Sequence, residues 1–556
     1  MAFSNAPETQ TYSSQRVPLV NKPFSTSVNS WSVMENVLPV KLGDEYIAET
    51  RPAISAAKMG FNTTPGEVCR GVHVWEKTAS TVLYFVVSGY RVYKASNSLI
   101  NSWSVVASFT DINLTTSVRF CEFIKSDGTK YVIFTDGKEC FFWDGLGGPA
   151  TKITSANIPT PHLAFPIFLN GRLYLAKINT GDIYCSNLDN AATWTAGDFI
   201  SSEVYPDDIQ AIVKINNYIL AIGLTGCEYF YDAANATGSP LARQEGAILP
   251  FGTIAAGSIA TTSDSVCFLS RDKAGEFCIR FIEGFNHKEA PAPFLIQEIN
   301  SASASTSGGT FKGYFFRHNG LLYYGLLDKG VTNLVSYISG GFTYVYAFDA
   351  GMWVRFTRGR DHFSTTDPRT GQTYEGIGSL SKPLPIQYAC TGSLNDAVTI
   401  VAGSVNNWTY VGTLEAEASG DDYIPYTDET LRYCPYLSTV YTPAQDFGTM
   451  NLKTMHRVGV DYVNSKDGTT LPVGSDATYY IPRVSYWDST VSTYWQKSTR
   501  VLPYAYSLNT SSTPGLQLNF PFLTQLGAFR RRWLQVSSYG ALQYRYLEID
   551  INKGQQ

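Results

Sequence analysis

VLYFVVSGYRVYK (82–94) is two apolar runs joined by Ser-Gly, the second closing on Tyr93 and Lys94. Val, Phe and Tyr suit a pleated, half-buried surface, and glycine supplies the reversal between the runs, so the stretch reads as a β-hairpin. Four more hairpins of the same design follow: KYVIFTDGKECFFWDG (130–145), GRLYLAKINTGDIYCSN (171–187), YILAIGLTGCEYFYD (218–232) and SVCFLSRDKAGEFCIRF (265–281). Each second strand carries an aromatic side chain, at Tyr93, Phe142, Tyr184, Tyr229 and Phe277, and these markers are 49, 42, 45 and 48 residues apart. A period of that size matches a four-stranded propeller blade, which cannot bury both faces alone and must stack against its neighbours. The five aromatics are therefore expected to fill the gaps between blades rather than to stack on a ligand.

Outward from this core, LLYYGLLDKGVTNLVSYI (321–338) and YVYAFDAGMWVRF (344–356) read as two further strand pairs, bringing the expectation to about six blades. Helical periodicity is almost absent, so the chain is all-β. At EGIGSLSKPLP (375–385) the texture changes, and the remainder ends in the alternating run RWLQVSSYGALQYRYLEIDI (532–551). The organisation expected is an extended N-terminal arm at 1–60, rich in Ser, Asn and Pro, a β-propeller at 61–380, and a sandwich-like C-terminal β domain at 381–556.

Composition points to an assembly component. Of 556 residues only 16% are charged, whereas 77 are aromatic (31 Phe, 10 Trp, 36 Tyr). Interface cores are depleted in charge and enriched in aromatics, so much of the exterior is expected to meet other protein. A net charge of −5 gives no basic footprint for gripping nucleic acid. The nine cysteines, at 69, 121, 140, 185, 227, 267, 278, 390 and 434, are never closer than 11 residues. They are expected to be free, mostly buried thiols of a protein made in a reducing cytoplasm, not a disulfide framework or a zinc knuckle. No apolar run of membrane-spanning length occurs, and MAFSNAPETQTYSSQ has neither a basic nor an apolar leader segment.

Local signatures of chemistry are missing. The six histidines lie at least 31 residues apart, and there is neither a GxSxG elbow nor a GxxxxGK[ST] loop. Ser186 to Trp194 loosely resembles the Asp-box of sialidase-type propellers, with one residue too many and no glycine, and is read as a structural turn containing Asp189. Glu415, Glu417, Asp421, Asp422, Asp428 and Glu429 supply oxygens but not calcium-loop spacing, and read as a solvated or partner-facing loop. Arg355, Arg358, Arg360 and Arg369, and separately Arg530, Arg531 and Arg532, could meet phosphate or an acidic partner; a solvated or inter-subunit role is favoured. The expectation is a protein that is not an enzyme, with no catalytic, cofactor-binding or metal-ligating residue assigned and no cofactor.

The segment GCEYFYDAANATGSPLARQEGAILPFGTIAAGSIATTSDSVCFLSRD (226–272) resembles the signature region of the packaged-DNA stabilisation proteins, the tail-hub or nozzle proteins of short-tailed bacteriophages. The resemblance rests on Glu228, Tyr229, Phe230, Asn235, Gly238, Arg243, Gly246, Ala247 and Gly252. It extends over about 16–360 through RVPLV (16–20), Arg51-Pro52 and CRGVHVWEKTASTVLYFVVSGYRVYK (69–94), and departs where the family's Pro-Gly after the arm reads Pro52-Ala53. It implies a subunit of a ring, expected to be a hexamer, beneath the portal and its adaptor in the virion, assembled in the host cytoplasm. That ring would retain packaged double-stranded DNA, conduct it at ejection without specific binding past neutral or acidic walls, and attach tail spikes, fibres or a needle. Two other readings are a host-receptor-binding propeller and a sialidase-like carbohydrate-active propeller, the latter needing paired carboxylates in a cleft.

Overall fold

The computed structural model describes residues 13–18 and 34–357, apart from 56–60, 63–66, 97–102, 112–115, 206, 236, 273–276, 293–294, 297–310 and 329–342. Beyond these it describes 362–366, 373–377, 384, 386–392, 399–405, 408–415, 420–423, 432–435, 437–442, 452–464, 483–488, 496–501, 522–524, 526, 528–539 and 542–553.

The five hairpins form where the alternation placed them: Tyr93 pairs with Val86, Phe142 with Ile133, Tyr184 with Leu175, Tyr229 with Leu220 and Phe277 with Arg271. Two first-to-second-strand turns are Asn-Gly pairs, Asn170-Gly171 and Asn319-Gly320, both with positive φ at each residue. That geometry matches the twist of the flanking strands and needs residues that tolerate the left-handed region.

Each hairpin is the middle of an antiparallel blade with four strand positions, the first of which in blade five is divided between Phe251–Gly252 and Ala260–Thr261. Blade one runs Cys69–Thr78 to Ser104–Ser108, blade two Arg119–Ile124 to Thr151–Lys152, and blade three Ile167–Leu169 to Asn190–Ser201. Blade four runs Ala211–Ile215 to Leu241–Leu249, blade five Phe251–Gly252 to Asn286–Ala290, and blade six Phe311–His318 to Met352–Arg355. The pairs read at 321–338 and 344–356 thus belong to one blade, since Leu321–Asp328 pairs with Thr343–Ala347, which turns directly into Met352–Arg355.

Among the described residues the ring has seven blades, not about six. Three strands of the seventh, Tyr388–Thr391, Thr399–Val405 and Trp408–Glu415, lie beyond residue 380, and its outer edge is Ala53–Ser55 with Phe61–Asn62. Its first strand lies against blade six on one side and blade one on the other, which closes the circle. Ser404 Oγ accepts from the Cys69 amide at 2.6 Å, and Ser88 Oγ donates to Thr409 Oγ1 at 2.8 Å.

Each gap between blades is an apolar cluster. Trp75, Phe85, Phe134 and Trp143 fill the gap between one and two, and Val86, Tyr84, Ile400 and Val411 that between seven and one. All five marker aromatics take part in such clusters: Tyr93 at seven–one, Phe142 and Tyr184 at two–three, Tyr229 at four–five, Phe277 at five–six. The residue that looked most like a repeat marker is thus the one that joins repeats.

Apart from two separate strand pairs, His362–Thr366 with Thr373–Ile377 and Gly420–Tyr423 with Arg432–Pro435, the remaining strands form two packed sheets. One orders Val37–Leu42, Glu45–Thr50, Leu542–Lys553, Lys453–Asn464 and Phe522–Thr524, with Ser13–Pro18 also on Leu542–Lys553; the other orders Leu437–Tyr441, Arg532–Tyr539, Arg483–Asp488 and Gln496–Val501. Val440, Val484 and Val536 of one sheet meet Val458, Leu547 and Ile549 of the other in one core, which continues into Tyr314, Phe316, Tyr323 and Val354 of blade six. The sheets therefore cross the expected divisions at 60 and 380. Within 1–60, where an extended arm was expected, residues 13–18, 37–42 and 45–50 are sandwich strands and 53–55 a blade strand, because an apolar run such as VLPVKL, with Val37, Leu38 and Pro39 buried in succession, needs packing partners.

Arg51 is the bolt between the two units. It is fully buried, and donates to Asn36 Oδ1 at 2.8 Å, Pro52 O at 2.9 Å and Thr357 O at 2.9 Å while lying over the Phe356 ring. Glu35 bridges both Arg355 of blade six and Thr439 of the sandwich.

Candidate functional site

Glu228 sits on the third strand of blade four and is 1% exposed. Its carboxylate accepts from Ser202 Oγ at 2.6 Å, the Val204 amide at 2.9 Å and Arg243 Nε at 2.9 Å. Ser202 and Val204 follow the last strand of blade three, so the carboxylate ties two blades together. The next two residues alternate, as strand residues must: Tyr229 packs toward blade five and donates to Gly284 O at 2.8 Å, while Phe230 packs toward blade three. Gly252 is held to glycine because a Cβ there would overlap the carbonyl of Gly223. The string from Glu228 to Gly252 is an inter-blade fastening.

Replacing Glu228 by alanine should strand Arg243 and two donors, costing about 3 kcal/mol; loss of one partner of a buried pair is expensive, and Arg243 keeps about a quarter of its surface in water. Urea unfolding of the Glu228→Ala and Glu228→Gln chains measures this. A loss under about 1 kcal/mol in both would contradict the fastening role.

The inner strands bring a second group together at the propeller axis. Lys312 is the second residue of blade six, Arg119 begins blade two, Ser117 lies two residues before it, Tyr388 begins blade seven, and Arg70 lies on the first strand of blade one. Lys312 is 8% exposed; its Nζ donates to Ser117 Oγ at 2.7 Å and stands 5.6 Å from the centre of the Tyr388 ring. Ser117 Oγ and Tyr388 OH are 2.9 Å apart. Arg119 donates to Ile259 O at 2.9 Å and lies over Phe165 at 4.2 Å. Arg70 is buried and bonded to Thr116 and Gly89, with Asp136 3.8 Å away.

Burial lowers the Lys312 ammonium to about 8, and the nearby Arg119 pushes in the same direction; Cys69 opposes it, and Arg70 adds a smaller lowering. Arg119 is lowered to about 10, again mainly by burial. Neither Lys312 nor Arg119 has a carboxylate partner among the described residues. The backbone is also crowded here: a Cβ on Gly71 would overlap the carbonyl of Val118, and where the short turn Ala256–Ser258 meets the first strand of blade six, a Cβ on Gly257 or Gly313 would overlap the carbonyl of Phe311 or Ser258. Nothing in the sequence marked this cluster, because its members lie far apart in the chain and meet only when the ring closes.

The sites weighed from sequence fall elsewhere. Asp189 occupies a turn at φ +57° and accepts from the Ser126 amide at 3.0 Å and Ser126 Oγ at 2.5 Å, fixing blade three to blade two. Trp194 is buried and donates to Ala191 O, so this loop is a structural turn. Glu415 lies on blade seven and Asp421 and Asp422 on a two-stranded pair, Gly420–Tyr423 with Arg432–Pro435; Glu417, Asp428 and Glu429 lie outside the described residues. Arg358, Arg360 and Arg369 do too, while Arg355 ends blade six. Arg530 and Arg531 are exposed, but Arg532 is buried between the rings of Tyr486 and Phe529, at 4.3 and 4.2 Å. That arginine is committed to cation–π packing.

The eight described cysteines are free, five of them buried. Burial raises Cys185 and Cys390 to about 11, which leaves both as thiols at neutral pH. The ninth, Cys434, has its side chain outside the described residues. Among the described residues no helix is long and apolar enough to cross a membrane, and no group of three His, Cys, Asp or Glu is placed to hold a metal ion.

Comparison with known proteins places this geometry. No curated protein matches the chain. Solved structures similar to it include the N-terminal domain of Nup159 (9% identity, 69% of this chain and 100% of that one, TM-score 0.28) and YCF48 from Cyanidioschyzon merolae (10%, 57% and 96%, 0.31). The β-propeller domain of Myceliophteria thermophila Cps50 (Swd1) is similar at 9% identity, covering 64% and 99%, with a TM-score of 0.34. At these values the likenesses carry no argument. The family model described as "Bacteriophage P22 Gp10, beta-propeller" matches residues 34–306, from the segment that bolts the units together through blade five, and includes the whole fastening around Glu228. By that match and this fold, the chain belongs to the phage DNA-stabilisation, or tail-hub, family of short-tailed bacteriophages and is a structural β-propeller protein of the virion.

Proposed function

We propose that this chain is a non-enzymatic tail-hub or nozzle subunit: a ring of copies, expected to be six, extends the portal–adaptor channel, retains the packaged genome, conducts it at ejection and anchors tail spikes, fibres or a needle. The observation that carries this reading is the family match across residues 34–306. Physical arguments agree with it. A charge-poor, aromatic-rich chain suits a subunit with neighbours on several sides, and a head-to-tail contact that closes into a ring leaves no adhesive end. Leu146, Leu188 and Phe285 stand 62, 59 and 47% exposed at the turns between third and fourth strands of blades two, three and five. In antiparallel blades those turns emerge on one face, so that face carries apolar tips available to protein contact. The acidic balance suits a conduit, since a basic wall would hold DNA by counterion release.

The test is the mass of the purified chain, with and without a portal–adaptor complex, by light scattering and negative-stain imaging. A ring, or a monomer that becomes a ring on the portal end, is the expected result. A monomer indifferent to the portal complex that binds or cleaves glycans would overturn the reading in favour of a receptor-binding or sialidase-like propeller.

A further inference from the structure

The cationic cluster at the propeller axis has no task in the fold that would justify its cost. A buried lysine is expensive unless it is paired, and here the charged side chains that act on Lys312 are two arginines. Arg70 is different: it is saturated by Thr116, Gly89 and Asp136, and so serves as structure. Lys312 and Arg119 each use one N–H on a protein oxygen among the described residues, Ser117 Oγ and Ile259 O, leaving further donors unspent. Two hydroxyls, those of Ser117 and Tyr388, stand beside them within hydrogen-bond distance of each other. Three close backbone approaches, at Gly71, Gly257 and Gly313, hold the neighbouring chain segments tightly beside the group. Lysine as a point charge, arginine as a planar fork and hydroxyl donors together make the chemistry that holds a tetrahedral oxyanion.

We propose that the start of the inner strands, around Lys312, Arg119, Ser117 and Tyr388, is a binding site for one small oxyanion of the phosphate class. The recessed position of Lys312 and the crowding of the backbone beside it favour a free ion over a nucleic-acid backbone. Bound there, the anion neutralises the two cations and fastens blades two, six and seven from the inside. This inference is independent of the nozzle reading and stands or falls on its own measurement.

The experiment uses the full-length chain at constant ionic strength, exchanging chloride for inorganic phosphate, and reads the thermal midpoint together with line broadening of the phosphate resonance in phosphorus NMR. The expected result is a saturable rise in midpoint and broadening with the unaltered chain. Lys312→Met and Arg119→Gln should each weaken phosphate binding by about tenfold or more, and Lys312→Arg should retain it. If Lys312→Met does not fold, Arg119→Gln, at a partly exposed position, decides the matter. An equal response in all chains, no response beyond that to chloride, or broadening only by a phosphate-bearing oligonucleotide would overturn the proposal.

Discussion

A chain beginning at residue 63 is expected to be recovered only as aggregate, whereas one beginning at residue 13 should fold and melt cooperatively. The longer deletion removes strands from both units at once. Without Ala53–Ser55 and Phe61–Asn62, the strand Trp408–Glu415 becomes a bare edge of blade seven, and an unpaired edge is a template for association. Without Val37–Leu42 and Glu45–Thr50, the sandwich strand Leu542–Lys553 loses a flank. Met34, Val37, Leu38, Ile47 and Ile54 are all buried. At ~1.5–3 kcal/mol per large apolar side chain their loss amounts to roughly 10 kcal/mol, comparable with the whole stability of a typical domain. The Arg51 network linking Asn36, Pro52 and Thr357 disappears as well. The first 12 residues precede every described strand, so their removal serves as the control. Soluble, monodisperse 63–556 with a single cooperative transition would show that the N-terminal segment is the dispensable arm its composition suggested.

That contrast also shows what the sequence could reveal. The hairpins were legible because alternation and glycine turns are local, and the aromatic markers were legible because each blade must meet the next. Blade seven was not, because its outer edge comes from Ala53–Ser55 and Phe61–Asn62 and its other strands from Tyr388–Thr391, Thr399–Val405 and Trp408–Glu415, so no repeat period spans it. Pro and Ser near residue 380 looked like a domain edge, yet the chain returns from there into the ring. The fastening at Glu228 could be quoted as a family string but not explained, since the Ser202 and Val204 partners lie in the preceding blade. Arg532 read as one of three adjacent cations; only the fold sets Tyr486 and Phe529 around it. The axial pair of Lys312 and Arg119 carries no local signal at all.

Between pH 6.5 and about 4 the isolated chain should lose stability steeply, and His73 and His318 are the groups to examine. Burial lowers both to about 4, from an ordinary 6.5. His73 lies stacked on Phe120 at 5.2 Å, and His318 is 7% exposed, contributing Nε2 3.4 Å from Asn319 Nδ2. A neutral folded imidazole against an unfolded one that protonates near 6.5 means that the unfolded chain binds the extra proton throughout this window. Stability is therefore unaffected above 6.5 and falls with pH below it, by about 1.4 kcal/mol per pH unit for each histidine, until the folded form protonates too. Summed over the window, the pair approaches roughly 6 kcal/mol, an upper bound since His73 retains some exposure. Glu122, 3.9 Å from His73, acts in the opposite sense: burial raises its carboxyl, so the folded chain takes up that proton earlier and part of the loss is returned. His162 acts in the same sense as the pair, since burial lowers it, against a smaller opposing effect of the Pro159 carbonyl that accepts from Nδ1. Urea midpoints taken from pH 7 to pH 4 give the slope, which is the quantity to compare, because a substitution changes the level for packing reasons as well. His73→Leu and His318→Leu should each reduce the slope by about one proton and the double variant by about two. Slopes unchanged in both single variants would mean that these imidazoles are protonated in the folded chain, and that its sensitivity to acid lies in the carboxylates.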